Sequence, residues 1–328
     1  MPRFSIVIPV YWNEPSLRPL YERLNDEAAQ RPAIEHEFVF VDDGSGDASF
    51  AVLDQLAAQD PRVRVVRLTR NFGAHAACLA GMSAASGDCA AVIAADLQEP
   101  PDLPWKMFER WSPATPVVVA SRQSRDEEAS KVAFARLYHG IMRRVAFPHM
   151  PEGGFDCFLL DRRVIGEVLR LEDSNASLTG LVLWTGFNFA EVSYDRLRRQ
   201  HGTSRWTLAK KLKLVVDSVV GFSYAPVRAM SLVGTLIGLV GFAYALLVVL
   251  RRIVYGEDIV GWSSLMAAIM VLSGVQLIAL GILGEYVWRT LDAARKRPSF
   301  IVGETRNLSR EECPQKHECT KAHQAPPQ

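Results

Sequence analysis

The stretch that decides the fold runs from Ala90 to Asp102 and reads AAVIAADLQEPPD. Its first part, Ala90–Ala95, is a continuous apolar run, as in strands that are buried on both faces. Pro100 and Pro101 cannot continue a strand or the interior of a helix, so the polar segment 96–99 is predicted to form a loop. Ligands bind at the carboxyl ends of strands in open α/β sheets, which makes this loop a candidate site. An ordinary polar turn is the alternative interpretation.

Predominantly apolar runs recur along the first 120 residues and alternate with helical patterns. The predicted strands besides Ala90–Ala95 are Phe4–Val10, Glu37–Val41, Val63–Leu68 and Val117–Ala120. The intervening helices are predicted over Pro15–Gln30, Phe50–Gln59 and about 74–85. This alternation predicts an α/β fold with a doubly wound, mostly parallel sheet.

Each predicted strand is followed by polar residues, and parallel strands bring these residues to one edge of the sheet. Carboxylates and amides suit a sugar, a ribose or a base, an aspartate with a nearby amide oxygen suits a hard divalent cation, and arginines suit phosphates. No Gly-x-Gly-x-x-Gly follows the first strand and no Gly-Lys-Ser/Thr loop occurs, which argues against dinucleotide redox and P-loop enzymes. The strand-end residues are Asn13, Glu14, Asp42, Asp43, Arg70, Asn71, Asp96, Gln98, Arg122 and Arg125.

Hydrophobicity is concentrated in the last third of the 328-residue chain, of which 49% is apolar. Met230–Leu250 carries no charge, and Ser263–Val287 carries only Glu285. Each is long enough to cross the hydrocarbon core of about 30 Å. The sequence therefore predicts a soluble domain followed by two transmembrane helices.

Basic residues flank the two predicted spans. The segment Arg196–Lys213 interleaves arginines and lysines with apolar residues, and from Thr207 the spacing is that of an amphipathic helix lying in a membrane interface. A solvated surface is the alternative, and the adjoining spans argue against nucleic-acid binding. With Arg289–Arg297 basic as well, the positive-inside rule predicts that both termini and the domain before the two spans lie in the cytoplasm. Arg251 and Arg252, on the short outer loop, run against that rule.

Several motifs, in order, resemble those of the family 2 inverting glycosyltransferases. They read IVIPVYWNE (6–14), FVFVDDGSGD (38–47), RNFGAHAACLAG (70–81), ADLQEPP (95–101) and GTSRW (202–206). The chain is most similar to the bacterial polyprenyl-phosphate (undecaprenyl-phosphate) glycosyltransferase branch, which is related to dolichol-phosphate mannose synthase. The resemblance implies a GT-A-type fold, Mg²⁺ or Mn²⁺ as cofactor, and transfer of a sugar with inversion from a nucleotide-sugar, expected to be a UDP-sugar, to a polyprenyl phosphate in a lipid bilayer. It also implies a multi-pass protein of the bacterial inner (plasma) membrane with a cytoplasmic catalytic domain.

The resemblance also implies roles for individual residues. Asp156 matches a position beside the reacting groups, where it would orient or deprotonate the acceptor, and Asp96 with Gln98 matches the metal-binding motif, which makes Asp96 catalytic as well. Phosphates would lie near Arg122, Arg125, Arg196, Arg199 and Ser204, although interfacial arginines could instead hold lipid headgroups. The nucleotide-sugar would contact Pro9, Tyr11, Glu14, Asp42, Asp43, Arg70 and Asn71.

The expected domain plan has four parts: a cytoplasmic GT-A catalytic domain (1–200), an interfacial amphipathic segment (201–228), two transmembrane helices (229–288) and a cytoplasmic tail with a disordered end (289–328). Related enzymes assemble through their membrane ends, which implies a possible homo-oligomer.

One departure from the family pattern concerns the metal motif, where Ala94 replaces the first aspartate of Asp-x-Asp. The loss removes a metal ligand or a ribose contact. A catalytically impaired membrane scaffold that binds nucleotide and lipid therefore stays open as an alternative. A processive polysaccharide synthase is a second, independent alternative.

Overall fold

The computed structural model describes residues 1–122, 140, 142–144, 147, 150–151, 154–171, 177–197, 220–223, 225–255 and 261–309. The chain divides into two compact units, Met1–Val215 with Pro298–Gln328 and Val216–Arg297. Strands and helices are numbered below in chain order over the described residues.

One sheet forms the centre of the first unit, and within the described residues it contains eight strands. They are β1 (Arg3–Val10), β2 (Glu35–Asp42), β3 (Val63–Leu68), β4 (Cys89–Val92), β5 (Val117–Arg122), β6 (Cys157–Asp161), β7 (Phe189–Tyr194) and β8 (Val302–Arg306). Their order is β7-β5-β6-β4-β1-β2-β3-β8, and all strands except β6 and β8 run in the same direction. The predicted α/β fold with a mostly parallel sheet is confirmed.

The central strands are buried on both faces, as their continuous apolar sequences predict. In β1, Ile6 and Ile8 pack into the hydrophobic cluster on one face of the sheet, whereas Val7 packs into the cluster on the other face. All three side chains are fully buried. A strand of this kind lies in the interior of a sheet that is covered by helices on both sides.

Six helices of the first unit lie within the described residues, and the first three begin within one residue of their predicted starts. Helix α3 lies very close to the sheet, because a Cβ on Gly81 would come within 2.3 Å of Val7 Cγ1. Its small residues permit this approach. The helices are α1 (Glu14–Ala29), α2 (Ser49–Gln59), α3 (Ala74–Ala84), α4 (Leu103–Arg110), α5 (Arg162–Arg170) and α6 (Leu178–Trp184).

Strand β4 ends three residues earlier than its sequence predicts. The Ile93 N–H still donates to the Val7 carbonyl oxygen at 3.1 Å, but the chain then leaves the sheet. Leu97 adopts a φ of 59°, a left-handed conformation that few non-glycine residues take. The loop after β4 therefore begins before Asp96.

After the two long apolar helices, the chain adds β8 to the edge of the sheet. Strand β8 pairs antiparallel with β3, and the Thr69 N–H donates to the Ile301 carbonyl oxygen at 3.0 Å. No sequence pattern predicted this strand, because Val302–Arg306 reads VGETR and carries a single large apolar residue.

The second unit contains two long helices, α7 (Ala225–Tyr255) and α8 (Trp262–Ala294). The stretches Ala225–Arg251 and Ala268–Ala294 are long and apolar enough to cross a membrane, and their most apolar windows are not buried. Exposed apolar surface of this extent is unfavourable in water. The two predicted apolar helices are confirmed, and they fit a membrane-associated protein.

Several predicted features fall outside the described residues: the amphipathic helix from Thr207, the motif GTSRW (202–206), and the candidate phosphate ligands Arg125, Arg199 and Ser204.

Candidate active site at the carboxyl edge of the sheet

The carboxyl ends of β1 to β5 lie along one edge of the sheet because these strands run in the same direction. The polar residues that follow them are therefore brought to one side of the first unit. Of the candidates within the described residues, Tyr11, Glu14, Arg70, Asn71 and Asp156 are exposed, Pro9, Asp96, Gln98, Arg122 and Arg196 are half-buried, and Asp42 and Asp43 are buried.

The loop after β1 carries two exposed aromatic side chains. Trp12 has a φ of 60°, and its N–H donates to Ser45 Oγ at 3.0 Å. The Trp12 ring lies over Gly46, where a Cβ would come within 2.9 Å of Cζ2. Tyr11 meets Trp12 edge to face with ring centroids 6.4 Å apart. The loop after β2 thus fixes the shape of the loop after β1.

Asp42, the last residue of β2, is fully buried. Its Oδ1 accepts from the Ser45 N–H at 3.0 Å, and its Oδ2 lies 3.5 Å from Arg67 Nε. Burial raises the pKa of this carboxyl, and Ser45 and Arg67 oppose the rise. Asp42 therefore holds the loop that carries Ser45. Because its side chain is buried, it supports the loops at this edge from the interior and is not exposed at their surface.

Asp43 holds the loop after β3. Its two carboxylate oxygens accept from the Phe72 N–H at 2.7 Å and from the Gly73 N–H at 2.9 Å. Burial raises its pKa, and these two hydrogen bonds act in the opposite direction. Arg70 stacks on the Phe72 ring with its guanidinium carbon 4.0 Å from the centroid. Asp43 thus positions Arg70 and Asn71, which are exposed at the same edge.

The loop after β4 is tied to the end of β7 through Gln98. Gln98 Oε1 accepts from Arg196 Nη2 at 2.7 Å, and Gln98 Nε2 donates to the Leu197 carbonyl oxygen at 3.2 Å. The Leu197 N–H donates in return to the Gln98 carbonyl oxygen at 2.8 Å. The structure thus brings together three candidates from distant parts of the sequence: Asp96, Gln98 and Arg196.

Glu99 is a buried carboxyl beside this loop that the sequence interpretation left without a role. Its side chain is 8% exposed, and Oε2 has no hydrogen-bond partner among the described residues. Burial, with Asp96 as a second cause, raises the pKa of Glu99 to about 7, while Arg196 and Arg122 lower it. The available signal was an acid at the end of a polar loop, directly before two prolines.

Arg122 and Asp156 form an ion pair between Arg122 Nη2 and Asp156 Oδ2. Strands β5 and β6 pair antiparallel, with Ala120 opposite Cys157, so the end of β5 lies beside the start of β6. Asp156 is exposed, whereas Arg122 is half-buried. The predicted catalytic aspartate and a predicted phosphate ligand are therefore neighbours.

The donor groups near Asp96 suit a cation that takes most of its ligands from a substrate. Gln98 Oε1 is engaged by Arg196, so the Asp96 carboxylate is the protein ligand best placed at this loop. Within the described residues, no group of three or more histidine, cysteine, aspartate or glutamate side chains could hold a metal. Mg²⁺ is commonly bound by one or two carboxylates together with substrate phosphates, and Asp96 fits that pattern.

The comparisons with known proteins identify the family of the chain. Residues 5–169 match the family described as Glycosyl transferase family 2. "Uncharacterized glycosyltransferase YkcC" of Bacillus subtilis (strain 168) is 37% identical to the chain, covering 92% of it and 93% of the relative. "Bactoprenol glucosyl transferase" of Shigella phage SfV is 31% identical and covers 92% of this chain and 98% of its own.

A solved structure of glucosyl-3-phosphoglycerate synthase from Mycobacterium tuberculosis, in complex with Mn²⁺, UDP and phosphoglyceric acid, is 16% identical to the chain. It covers 66% of this chain and 77% of its own, with a TM-score of 0.44. The family match covers half of the chain, and the two relatives match 92% of it. Together these matches establish the family. The chain is a glycosyltransferase and belongs to Glycosyl transferase family 2.

Proposed function

We propose that the protein transfers a sugar from a nucleotide-sugar, with UDP as the nucleotide, to the phosphate of a polyprenyl lipid such as undecaprenyl phosphate, with inversion at the anomeric carbon. The observation that carries the proposal is the likeness to a bactoprenol glucosyl transferase over 92% of this chain, apolar helices included. The product would be a lipid-linked monosaccharide for modification of cell-envelope glycans.

In this reaction the protein mainly has to align the acceptor phosphate with the sugar and to neutralise the charge of the phosphates. A phosphate monoester is already nucleophilic near neutral pH, so no strong general base is needed to activate it. Charge develops on the departing nucleoside diphosphate, where cations stabilise it. An edge of the sheet that combines Asp96 with Arg122 and Arg196 supplies both requirements.

The nucleotide would lie across the loops after β1, β2 and β3. Tyr11 offers an exposed aromatic face, and Arg70 and Asn71 are exposed beside it. We assign Asp42 and Asp43 a supporting role in this pocket because both are buried and both bind backbone N–H groups of these loops. Pro9 and Glu14 complete the proposed donor site.

A divalent cation, Mg²⁺ or Mn²⁺, would be held by Asp96 together with the donor diphosphate, and it would neutralise the leaving group. Gln98 would act chiefly by holding Arg196 over that diphosphate, since its Oε1 already accepts from the guanidinium. Ala94 leaves this loop with one carboxylate fewer than the family pattern, so cation binding should depend strongly on the donor.

The acceptor phosphate would approach Arg122 and Asp156. Because Asp156 is paired with Arg122, we assign it the orientation of the arginine and the acceptor rather than proton removal. Arg125, Arg199 and Ser204 stay candidates for further phosphate contacts. Arg122 and Arg196, the phosphate candidates within the described residues, lie at the same sheet edge as Asp96.

We propose a multi-pass protein of the bacterial plasma membrane with a cytoplasmic catalytic unit. The support is the pair of apolar, unburied helices together with Arg289 in the last turns of the second helix and the basic residues that follow it, Arg295, Lys296 and Arg297. This location would give the active site access to a lipid phosphate at the membrane surface.

The test is a reaction of purified full-length protein with undecaprenyl phosphate, Mg²⁺ or Mn²⁺ and a panel of UDP-sugars, with lipid-linked sugar as the readout. Product with one donor supports the proposal. Binding of UDP without product from any donor would instead favour the impaired scaffold, for which Ala94 is the specific observation. Chains of several sugars would indicate a processive synthase.

A further inference from the structure

Strand β8 lies beyond the two apolar helices in sequence, yet it pairs with the strand next to β2 in the catalytic unit. Glu304 on β8 contacts Arg67 on β3, with 3.1 Å between Oε1 and Nη1. Arg67 in turn lies opposite Asp42 in the β2–β3 register, with its Nε 3.5 Å from Asp42 Oδ2. The three side chains form a line from the edge strand to the end of β2.

The line continues from Asp42 into the proposed donor pocket. Asp42 Oδ1 accepts from the Ser45 N–H at 3.0 Å, and Ser45 Oγ accepts from the Trp12 N–H at 3.0 Å. Trp12 belongs to the loop that presents Tyr11. A contact on β8 is therefore connected to the loops after β1 and β2 by consecutive polar contacts.

Glu304 is one of three described side chains that contact the Arg67 guanidinium, beside Asp42 and Phe50. The Arg67 side chain is 36% exposed, so without a partner on β8 the guanidinium could turn towards water. The Phe50 ring supports it from one side, with the guanidinium carbon 4.4 Å from the centroid. Among the described residues, Asp42 Oδ2 has no hydrogen-bond partner, so Arg67 is the cation that offsets the burial of this oxygen.

The strand itself is anchored independently of Arg67. Arg306 Nε pairs with Asp54 Oδ1, and Arg306 Nη2 also lies 3.2 Å from Glu304 Oε2. Asn307 Nδ2 donates to the carbonyl oxygens of Ala57 at 2.7 Å and Val63 at 2.9 Å. The contacts of Asp54 and Asn307 do not involve Glu304, so they keep β8 in place when Glu304 alone is changed. The role of Glu304 can therefore be separated from the stability of the strand.

We infer that Glu304 is a positioning residue for the donor site: through Arg67 it holds Asp42, and Asp42 holds the loops that receive the nucleotide. This inference rests on the proposed function, because it assumes that the nucleotide-sugar binds at those loops. It assigns the segment after the membrane helices a part in donor binding.

The test compares Glu304→Gln with the matched control Asp54→Asn, which removes the other ion pair of Arg306 and no contact of Arg67. In full-length protein we expect Glu304→Gln to raise the KM for the UDP-sugar and the Kd for UDP about three- to tenfold. The kcat and the KM for undecaprenyl phosphate should stay within about twofold of the parent. Asp54→Asn should leave all four constants near parent values.

A double-mutant cycle adds a readout that a merely structural role would not produce. Arg67→Gln should raise the donor KM as well, and Glu304→Gln should add nothing to it, since both act through one contact. Additive effects, an unchanged donor KM in Glu304→Gln, or an equal rise in Asp54→Asn would each overturn the inference. If the parent itself neither binds UDP nor forms product, the proposed function fails, and the inference fails with it.

Discussion

Arg196 Nη2 donates a 2.7 Å hydrogen bond to Gln98 Oε1, which joins the loop after β4 to the end of β7 across 98 residues of sequence. The contact explains how a half-buried arginine is fixed beside Asp96. The other polar atom of the Gln98 amide is engaged as well, because Nε2 donates to the Leu197 carbonyl oxygen. Gln98 thus has a structural role at the site that does not depend on which ligand binds there.

Gln98→Ala should lower kcat/KM roughly 10- to 100-fold, because it releases both Arg196 and Leu197. Gln98→Glu keeps an acceptor for Arg196 and should lose less activity. The control is Gln55→Ala, which removes an exposed glutamine that accepts from Arg18 at 3.1 Å. Steady-state kinetics of the three variants decide the matter, and a Gln98→Ala enzyme as active as the Gln55→Ala enzyme would contradict the assignment.

Arg122 and Asp156 should act as one unit. We expect Arg122→Gln and Asp156→Asn each to lower kcat by about 100-fold or more, and the double variant to be little worse than either single one. The control changes an exposed pair of α5, in which Arg170 Nη1 lies 3.0 Å from Glu167 Oε1, and Arg170→Gln should leave kcat unchanged. Independent, multiplicative losses in the double variant would show that the two residues act separately.

Glu37 should be a stabilising residue of the opposite edge of the sheet. Its buried carboxylate accepts from the Ser86 N–H at 2.6 Å and from Ser86 Oγ at 2.7 Å, and it lies 3.2 Å from Arg64 Nη1. Glu37→Ala removes these hydrogen bonds and the ion pair with the buried Arg64, and it should cost about 3 kcal/mol of unfolding free energy.

The matched control is Glu35→Ala on the same strand, where the side chain is 58% exposed and pairs with Arg3. It should cost less than about 1 kcal/mol. Thermal or denaturant unfolding followed by circular dichroism measures both variants. Equal losses at the two positions would refute a special role for the buried acid.

His36 should make stability depend on pH. Trp105 Nε1 donates to His36 Nε2 at 3.0 Å, which requires that nitrogen to be unprotonated. Burial, with Arg62 and Arg31 nearby, lowers the His36 pKa from its ordinary value of 6.5 to about 4. Between these two values the unfolded chain binds a proton that the folded chain does not, so stability falls as the pH is lowered.

At pH 5 the loss from this single group should be about 2 kcal/mol relative to pH 7. His36→Gln keeps an acceptor for Trp105 without titrating, so its melting temperature should change less between pH 7 and pH 5 than that of the parent. Parallel declines in the two proteins would show that other groups cause the acid sensitivity.

The central strands could be predicted because their sequences carry a local signal. Strand β3 has the predicted bounds, Val63–Leu68, since a short valine-rich run between turns favours a strand. Strand β8 lacks such a signal, and the short apolar run of β6, CFLL, does not show which strands it pairs with. Strand β6 inserts antiparallel between β4 and β5, and β8 pairs with β3, a partner more than 230 residues earlier in the chain. Such long-range pairings cannot be predicted from the local sequence of either strand.

The same distinction applies to the site. Polar residues at strand ends were predicted to meet at one edge, because parallel topology alone places them there. The link between Glu304 and Asp42 depends on β8 and so could not be foreseen. The sequence likewise did not separate the exposed Tyr11 from the buried Asp43, because both are polar residues that follow strands. Burial depends on how the loops pack on each other.

The most direct test of the central claim is the formation of lipid-linked sugar by purified full-length protein from undecaprenyl phosphate and UDP-sugars in the presence of Mg²⁺ or Mn²⁺. The account predicts a single-sugar lipid product with at least one donor, and no product from Asp96→Ala. Absence of product from the parent protein with every donor, or an Asp96→Ala enzyme that works at the parent rate, would contradict it.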